Sequence, residues 1–455
     1  MTQVTAMTVA PIARRSRIRR VGDTIRRRPV VLLVVLGLSC AAIAWLRIPA
    51  IAQGTFWAED GRTFISSAAL GGPSVLFKPY AGYLHTVPRL VAAGVVLLPV
   101  DQWALATTAA ACAIAGALAV VVFVCTRDLV PWLPARLFIA GLTVLAPLAP
   151  REVLGNLANL HSVFLWALFW VVLSRPRRMR TAIILSGVAL FGALTEIQVL
   201  FLAPLLLLRS RDWLVWIVRA GLLAGMVVQL VVTLSWPRAE NTNPAVDSLS
   251  IAYGYLINSA MPLVVPQSRI GPVLAATGPA VGIAVLAVVV AAAIYVMVRG
   301  TRGQRLLVAA ALSGSVLIYV ASVATNPDTF YDYAQFTSAQ LSNAWLTRYG
   351  VVPSMLLALV LPVAAAIAFG SRRRRPALSW SVIAVAAVAA SLVAAQFGPQ
   401  LTRRSYGPAW QPQLAAATAE CHRDDELRFV NLKETLGWTV TVPCVDLTGR
   451  VDADH

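Results

Sequence analysis

Glu59 and Asp60 stand side by side in Phe56-Trp57-Ala58-Glu59-Asp60-Gly61, in a chain of 455 residues that carries only 20 carboxylate side chains. Adjacent acids suit proton abstraction from a hydroxyl: one serves as general base, while its neighbour modulates its proton affinity or helps to hold a divalent cation. A solvated acidic turn would carry the same two residues.

Four further groups bear chemistry. Lys78-Pro79-Tyr80-Ala81-Gly82-Tyr83-Leu84-His85-Thr86-Val87-Pro88-Arg89 gathers cations, phenols and an imidazole, a set suited to a phosphate with a hydroxylated group attached. An interfacial aromatic belt with snorkelling cations accounts for Lys78 and Tyr80, and less well for His85 and Arg89. In Arg151-Glu152-Val153-Leu154-Gly155-Asn156-Leu157-Ala158-Asn159-Leu160-His161, the two asparagines are three apart. That spacing puts Asn156 and Asn159 on one helical face, with His161 pointing elsewhere. Such groups are costly in lipid, so they face a cavity or bond between helices. Glu196 and Gln198 form the polar tip between two short apolar runs, either sunk in the membrane or lying among headgroups. Arg348, in Asn343-Ala344-Trp345-Leu346-Thr347-Arg348-Tyr349-Gly350, calls for an anion: a bound phosphate, or Asp328 or Asp332.

The elements that must position these groups follow from composition. The chain is 58% hydrophobic, its mean hydropathy is +0.73, and its apolar runs approach the roughly 20 residues a membrane-crossing helix needs. An all-α polytopic membrane protein is the only class that fits. The net charge of +18 does not indicate nucleic acid, because the arginines fall in short clusters between apolar runs. Those clusters lie at 14–28, 175–180, 209–211, 299–305 and 372–375. By the positive-inside rule they are cytoplasmic, in a plasma (inner) membrane whose anionic headgroups reinforce the orientation. The run 30–48 is long for a cleavable signal core, so it is expected to remain as the first span.

Twelve candidate spans appear: 30–48, 86–100, 103–125, 136–148, 158–173, 181–194, 199–208, 214–235, 274–298, 306–324, 351–369 and 377–395. A cytoplasmic start and an outward tail require an odd number, within about 11–13 transmembrane helices. Pro79, Pro88 and Gly71-Gly72-Pro73 make 86–100 irregular, which favours eleven. The chain then divides into a basic cytoplasmic segment 1–28, a transmembrane domain 29–397 with first outer loop 49–85, and an extracytoplasmic C-terminal cap 398–455. Outer segments hold most of the polar chemistry. Cys421 and Cys444 are the cysteines expected outside the membrane region, and an exported pair has one intramolecular pairing available, a disulfide. Thr439-Val440-Thr441-Val442 alternates like a short strand, and no metal-ligand spacing is present.

A first span, an outer loop with an acid pair, proline-broken juxtamembrane segments, a broken hairpin ending Leu202-Ala203-Pro204-Leu205-Leu206-Leu207-Leu208-Arg209, many later spans and an outward tail resemble the GT-C integral-membrane glycosyltransferases. These include protein mannosyltransferases, lipid A aminoarabinose transferases and the actinobacterial arabinosyl- and mannosyltransferases. The resemblance is closest up to Arg209 and a general layout beyond it. It implies a GT-C-like helical bundle that moves a sugar, with inversion, from a polyprenyl-phosphate donor to a glycan, lipid or protein acceptor on the outer face of the cell envelope.

The family's first-loop acid falls on Glu59 or Asp60, which the sequence does not separate; Asp60 is taken as the base, with Glu59 assisting. Lys78, His85, Arg89 and Arg348 would hold the donor phosphate. Tyr80, Tyr83, Asn156, Asn159, His161, Glu196 and Gln198 would bind sugar or acceptor. Tyr80-Ala81-Gly82-Tyr83-Leu84-His85-Thr86-Val87-Pro88 stands where mannosyltransferases carry a His-Pro-Pro type sequence, which leaves the role of His85 open. No organic cofactor or resident metal is implied, although a divalent cation beside Glu59 and Asp60 is compatible. Membrane lipids are the other partners. The competing classes are a transporter or lipid-linked saccharide flippase, whose internal repeats and midplane charges are not evident, and a noncatalytic envelope-assembly protein.

Overall fold

In lipid every backbone N–H and C=O must be satisfied within its own segment, so uninterrupted Leu, Val and Ala runs wind into helices. The computed structural model describes residues 29–208, 210–239 and 241–449. The basic segment 1–28, Arg209 and the end 450–455 lie outside the described residues. Seven helices are long and apolar enough to cross a membrane: Val100–Asp128, Leu133–Glu152, Trp213–Ser235, Ala280–Arg299, Arg302–Thr325, Arg348–Ser371 and Pro376–Ala395. Five shorter apolar helices accompany them: Val30–Leu46, Thr86–Val95, Leu160–Leu173, Met179–Ala193 and Ile197–Leu206. The protein is a membrane-embedded helical bundle.

The full-length helices are fewer than the apolar runs because several runs are interrupted. Thr86–Val95 has ten residues, about 15 Å of helix, half a bilayer core. The run expected at 274–298 is split, since Gly278 takes φ +57° and ends the helix Gln267–Thr277 before Ala280–Arg299 begins. After Glu196 the second arm of the expected hairpin is a short helix, Ile197–Leu206, whose first six residues are 3₁₀.

Leu160–Leu173 is apolar on all sides and is the axis of the bundle, with Trp166 and Trp170 fully buried. Arg348–Ser371 is also packed inside, whereas Ala280–Arg299 and Pro376–Ala395 leave most of their apolar side chains uncovered, as lipid-facing helices do. Beyond the last long helix, a small module comprises the helix Gln411–Arg423, a hairpin pairing Phe429–Lys433 with Thr439–Pro443, and the short helix Cys444–Thr448. A Cys421–Cys444 disulfide ties its two helices together.

This module does not stand apart from the bundle. Trp410 is buried, donates from Nε1 to the Val100 carbonyl at 2.7 Å and packs edge-on against Phe56 at 4.9 Å. Thr435 Oγ1 donates to the Phe56 carbonyl at 2.6 Å, and Ser66 Oγ accepts from Thr441 N at 2.9 Å. The loop after the first apolar helix is thereby sandwiched between bundle and module.

Candidate functional site

Positive φ at Ala58 (+35°) precedes a π-helical turn, Asp60–Ile65. Single π turns re-aim side chains and recur at functional sites. The consequence is that the two neighbouring acids diverge. Asp60 is fully buried and points into the bundle: Oδ1 accepts from Ala158 N at 2.8 Å and Leu157 N at 3.0 Å, and Oδ2 accepts from Leu157 N at 3.0 Å. Glu59 is half-buried and lines a cavity of about 310 Å³.

The backbone that Asp60 caps is a turn, not the helix expected over 156–159. Asn156 and Asn159 both donate from Nδ2 to the Glu152 carbonyl, at 2.5 and 2.8 Å, and Asn156 Oδ1 accepts from Asn159 N at 2.9 Å. Asn156 is therefore committed to the turn, while Asn159 also reaches the cavity. His161, one residue into the axial helix, faces the cavity too, because the turn removes the regular helical phase that would have pointed it elsewhere.

The cavity brings together Glu59, Tyr80, Tyr83, His85, Asn159, His161, Glu196, Gln198 and Arg348. His161 Nδ1 is hydrogen-bonded to Glu196 Oε2. With Nδ1 engaged by a carboxylate the ring is fixed in orientation, and Nε2 is the nitrogen left for a ligand. Glu196 Oε1 accepts from Gln198 N at 2.6 Å, and Gln198 Nε2 donates to Ser322 Oγ at 2.7 Å. Arg348 Nη1 bonds Glu152 Oε2 at 3.1 Å, so its anion is neither Asp328 nor Asp332. Glu152 lies closer because the 149–158 turn folds under the Arg348 loop.

His85 is buried in an aromatic box, with ring centroids of Tyr83, Phe64 and Tyr80 at 4.2, 5.5 and 5.6 Å. Neither imidazole nitrogen has a hydrogen-bond partner. Burial, with the charges of His161 and Arg89 adding, holds it well below the usual histidine range, so the ring is neutral. Burial likewise holds the Tyr83 phenol well above its usual value; Glu196 adds, Arg348 opposes and Glu59 adds again. Tyr83 is thus a neutral hydrogen-bonding group within the field of three cavity-lining charges.

Asp60, Lys78, Arg89 and Asn156 do not line this cavity. Lys78 opens instead onto an adjoining cleft of about 880 Å³ with Arg238, Asn241 and Asn243, and the two cavities share Tyr80, Ala81, Gly82 and Arg238. Tyr80 and Tyr83 exchange backbone hydrogen bonds at 2.9 and 3.2 Å around Ala81 and Gly82, both at positive φ, the geometry of a tight primed turn. A Cβ on Gly82 would lie 2.9 Å from Arg238 N, so glycine there lets Arg238 approach. Arg89 is buried behind the wall, its guanidinium 5.6 Å from the Phe64 ring centroid, with Nε and Nη1 unpartnered.

Three functional neighbours were not anticipated from sequence. Arg238 carried the same signal as Arg348, an arginine apart from the basic clusters. Glu434 and Arg404 carried none, because their partners are remote in sequence. Glu434 Oε1 accepts from Arg62 N at 2.9 Å across 372 positions, and a Cβ on Gly61 would lie 2.2 Å from Glu434 Oε2. Arg404 is buried and donates to the Thr55 carbonyl at 2.7 Å, to the Gly155 carbonyl and to Thr108 Oγ1, close to Asp60.

Burial raises Asp60 to about 7 against the opposing pull of the Ala158 and Leu157 amides and of Arg404, with Glu59 adding slightly. Burial raises Glu434 to about 9, opposed by the Arg62 amide and reinforced by Asp60 and Glu59. Both lie above unfolded-chain values of about 4. Their contribution to stability is therefore complete below about pH 4 and is lost progressively as pH rises from there to about 7 for Asp60 and about 9 for Glu434. Glu434→Gln is expected to leave the thermal midpoint nearly unchanged at about pH 4 and to raise it increasingly above wild type as pH rises to about 9. A difference that is the same at both pH values would refute this charge assignment.

Comparison with protein-family models, with curated proteins and with solved structures finds no match to this chain.

Proposed function

We propose that the protein is an inverting membrane glycosyltransferase of GT-C type, taking a sugar from a polyprenyl-phosphate donor to an envelope acceptor on the outer face of the plasma membrane. The observation that carries this reading is the convergence of Glu59, Arg348 and the His161–Glu196 pair on one cavity. Its volume is at the small end of the roughly 300–1,000 Å³ typical of ligand sites, in keeping with one sugar and its phosphate.

The arrangement along the chain supports the orientation. Segments 29–46, 103–125, 133–145, 160–173, 179–193, 197–206, 213–235, 280–299, 302–325, 351–371 and 376–395 can alternate in direction as eleven crossings. Connections near 127, 175–180, 211, 299–302 and 372–375 then share one basic, cytoplasmic side. Glu59, His161, Glu196, Asn326 and Arg348 share the other with the disulfide-bonded module.

In this reading Glu59 is the base and Asp60 the positioning residue, since both Asp60 oxygens already accept backbone hydrogen bonds. The acceptor hydroxyl gives its proton to Glu59 as its oxygen bonds the anomeric carbon. The bond from that carbon to the phosphate oxygen breaks, and the polyprenyl phosphate leaves as an anion beside Arg348 and Arg238. His161 Nε2 and Asn159 face the sugar hydroxyls. No group of three or more His, Cys, Asp or Glu side chains that could hold a metal ion occurs among the described residues.

A flippase reading draws on the interrupted segment around Glu196. One assay separates the two. Purified protein in proteoliposomes, supplied with polyprenyl-phosphate arabinose or mannose, is expected to yield an inverted glycoside of an added acceptor. Transbilayer movement of either donor without any glycoside formed would overturn the transferase reading.

A further inference from the structure

At the opposite ends of the helices from Glu59, the connections 126–136 and 174–181 fold around a bowl of about 580 Å³. Arg127, Arg136, Arg175, Arg177 and Arg178 line it, with Asp128 the one carboxylate among the lining residues. Asp128 neutralises one guanidinium, Arg177, at 2.7 Å. Among the described residues no carboxylate forms a salt bridge to the other four. Arg136 is held against the wall, with Nη2 donating to the Phe123 carbonyl at 2.8 Å and the guanidinium 4.1 Å from the Phe123 ring centroid, and its Nε is buried without a partner.

The remaining wall is apolar, formed by Leu32 and Leu33 of the first helix, Phe123 and Leu185. Two flanking helices carry that wall onward along the bundle surface with uncovered side chains: Val31, Val34 and Val35 on one, Ile183 and Ile184 on the other. A cup of surplus positive charge opening onto a two-sided apolar track matches one shape of molecule. We infer that this bowl binds an anionic glycerophospholipid, its phosphate among Arg136, Arg175 and Arg178 and its acyl chains against Leu32, Leu33 and Ile184. The site is independent of the reaction proposed above.

Concave form distinguishes it from ordinary membrane-side charge. Arg373, Arg374 and Arg375 are equally basic and, like Arg127, Arg175, Arg177 and Arg178, exposed, but they do not line the bowl. General attraction of a basic surface to anionic lipid would treat the two clusters alike. A built site would not.

The test uses the full chain in detergent, titrated with dioctanoyl phosphatidylglycerol, dioctanoyl phosphatidylcholine or inorganic phosphate and read by thermal midpoint and native mass spectrometry. Phosphatidylglycerol is expected to raise the midpoint and stay bound, with the other two far weaker. Arg175→Gln with Arg178→Gln should weaken binding about tenfold or more, while Arg373→Gln with Arg374→Gln leaves it within twofold. Thr181→Trp, which fills the bowl without changing charge, should match the first pair and serves where that pair fails to fold. Equal stabilisation by phosphatidylcholine, saturation by phosphate alone, or equal loss in both arginine pairs would each overturn the lipid site.

Discussion

Glu59→Gln is expected to lower the turnover of sugar transfer by about 10³-fold, within the 10²–10⁴ that a positioned general base supplies, with the thermal midpoint unchanged. Glutamine keeps the shape of a half-buried side chain but takes no proton. Asp60→Asn is expected to behave in the reverse manner. Its Oδ1 can keep both amides, but Nδ2 would stand where Oδ2 accepts from Leu157 N, a buried donor facing a donor at a cost of about 1–3 kcal/mol. The midpoint should fall sharply, and the residual activity should scale with the folded fraction rather than with pH. A pH–rate profile separates the cases, because only the base variant loses the acidic limb. Unchanged turnover in Glu59→Gln, or a chemical defect in fully folded Asp60→Asn, would exchange the two roles.

Replacing Arg404 by Met should give the largest structural effect. The guanidinium joins the carbonyls of Thr55 and Gly155 to the Thr108 hydroxyl and lies near Asp60. Methionine fills the volume and satisfies none of these groups, and each buried acceptor left without a partner costs about 1–3 kcal/mol. The module beyond residue 404 should then release from the first loop and become open to protease, while the apolar bundle remains helical. Transfer activity should vanish with it. Resistance of Arg404→Met to protease, together with retained activity, would show that the clamp is dispensable.

Charged residues in an apolar chain announce themselves, which is why Glu59, His161, Glu196 and Arg348 were legible before any coordinates. What local sequence does not encode is where a neighbouring side chain points. Sequence does not separate Asp60 from Glu59, because nothing near them shows that Leu157 and Ala158 occupy the Asp60 oxygens. Asn156 looked like a helical-face residue because the turn at 153–159 depends on side chains closing onto Glu152. The run at 274–298 looked continuous because averaged hydropathy passes over Gly278-Pro279. Glu434 sits between Lys433 and Thr435 like any surface acid, and only the docked hairpin makes it a buried one.

The Arg62–Glu434 contact spans 372 positions. At about 5–20 residues per second, a ribosome needs roughly 20–75 s to travel that far. Throughout that interval the loop bearing Glu59 and Asp60 has been made, yet it lacks the hairpin that covers Gly61 and the guanidinium beside Asp60. The setting of this loop is therefore timed by synthesis. A chain stalled after any of its earlier spans holds the acids but not their setting, and only a chain threaded through to its last folded segment acquires a working surface.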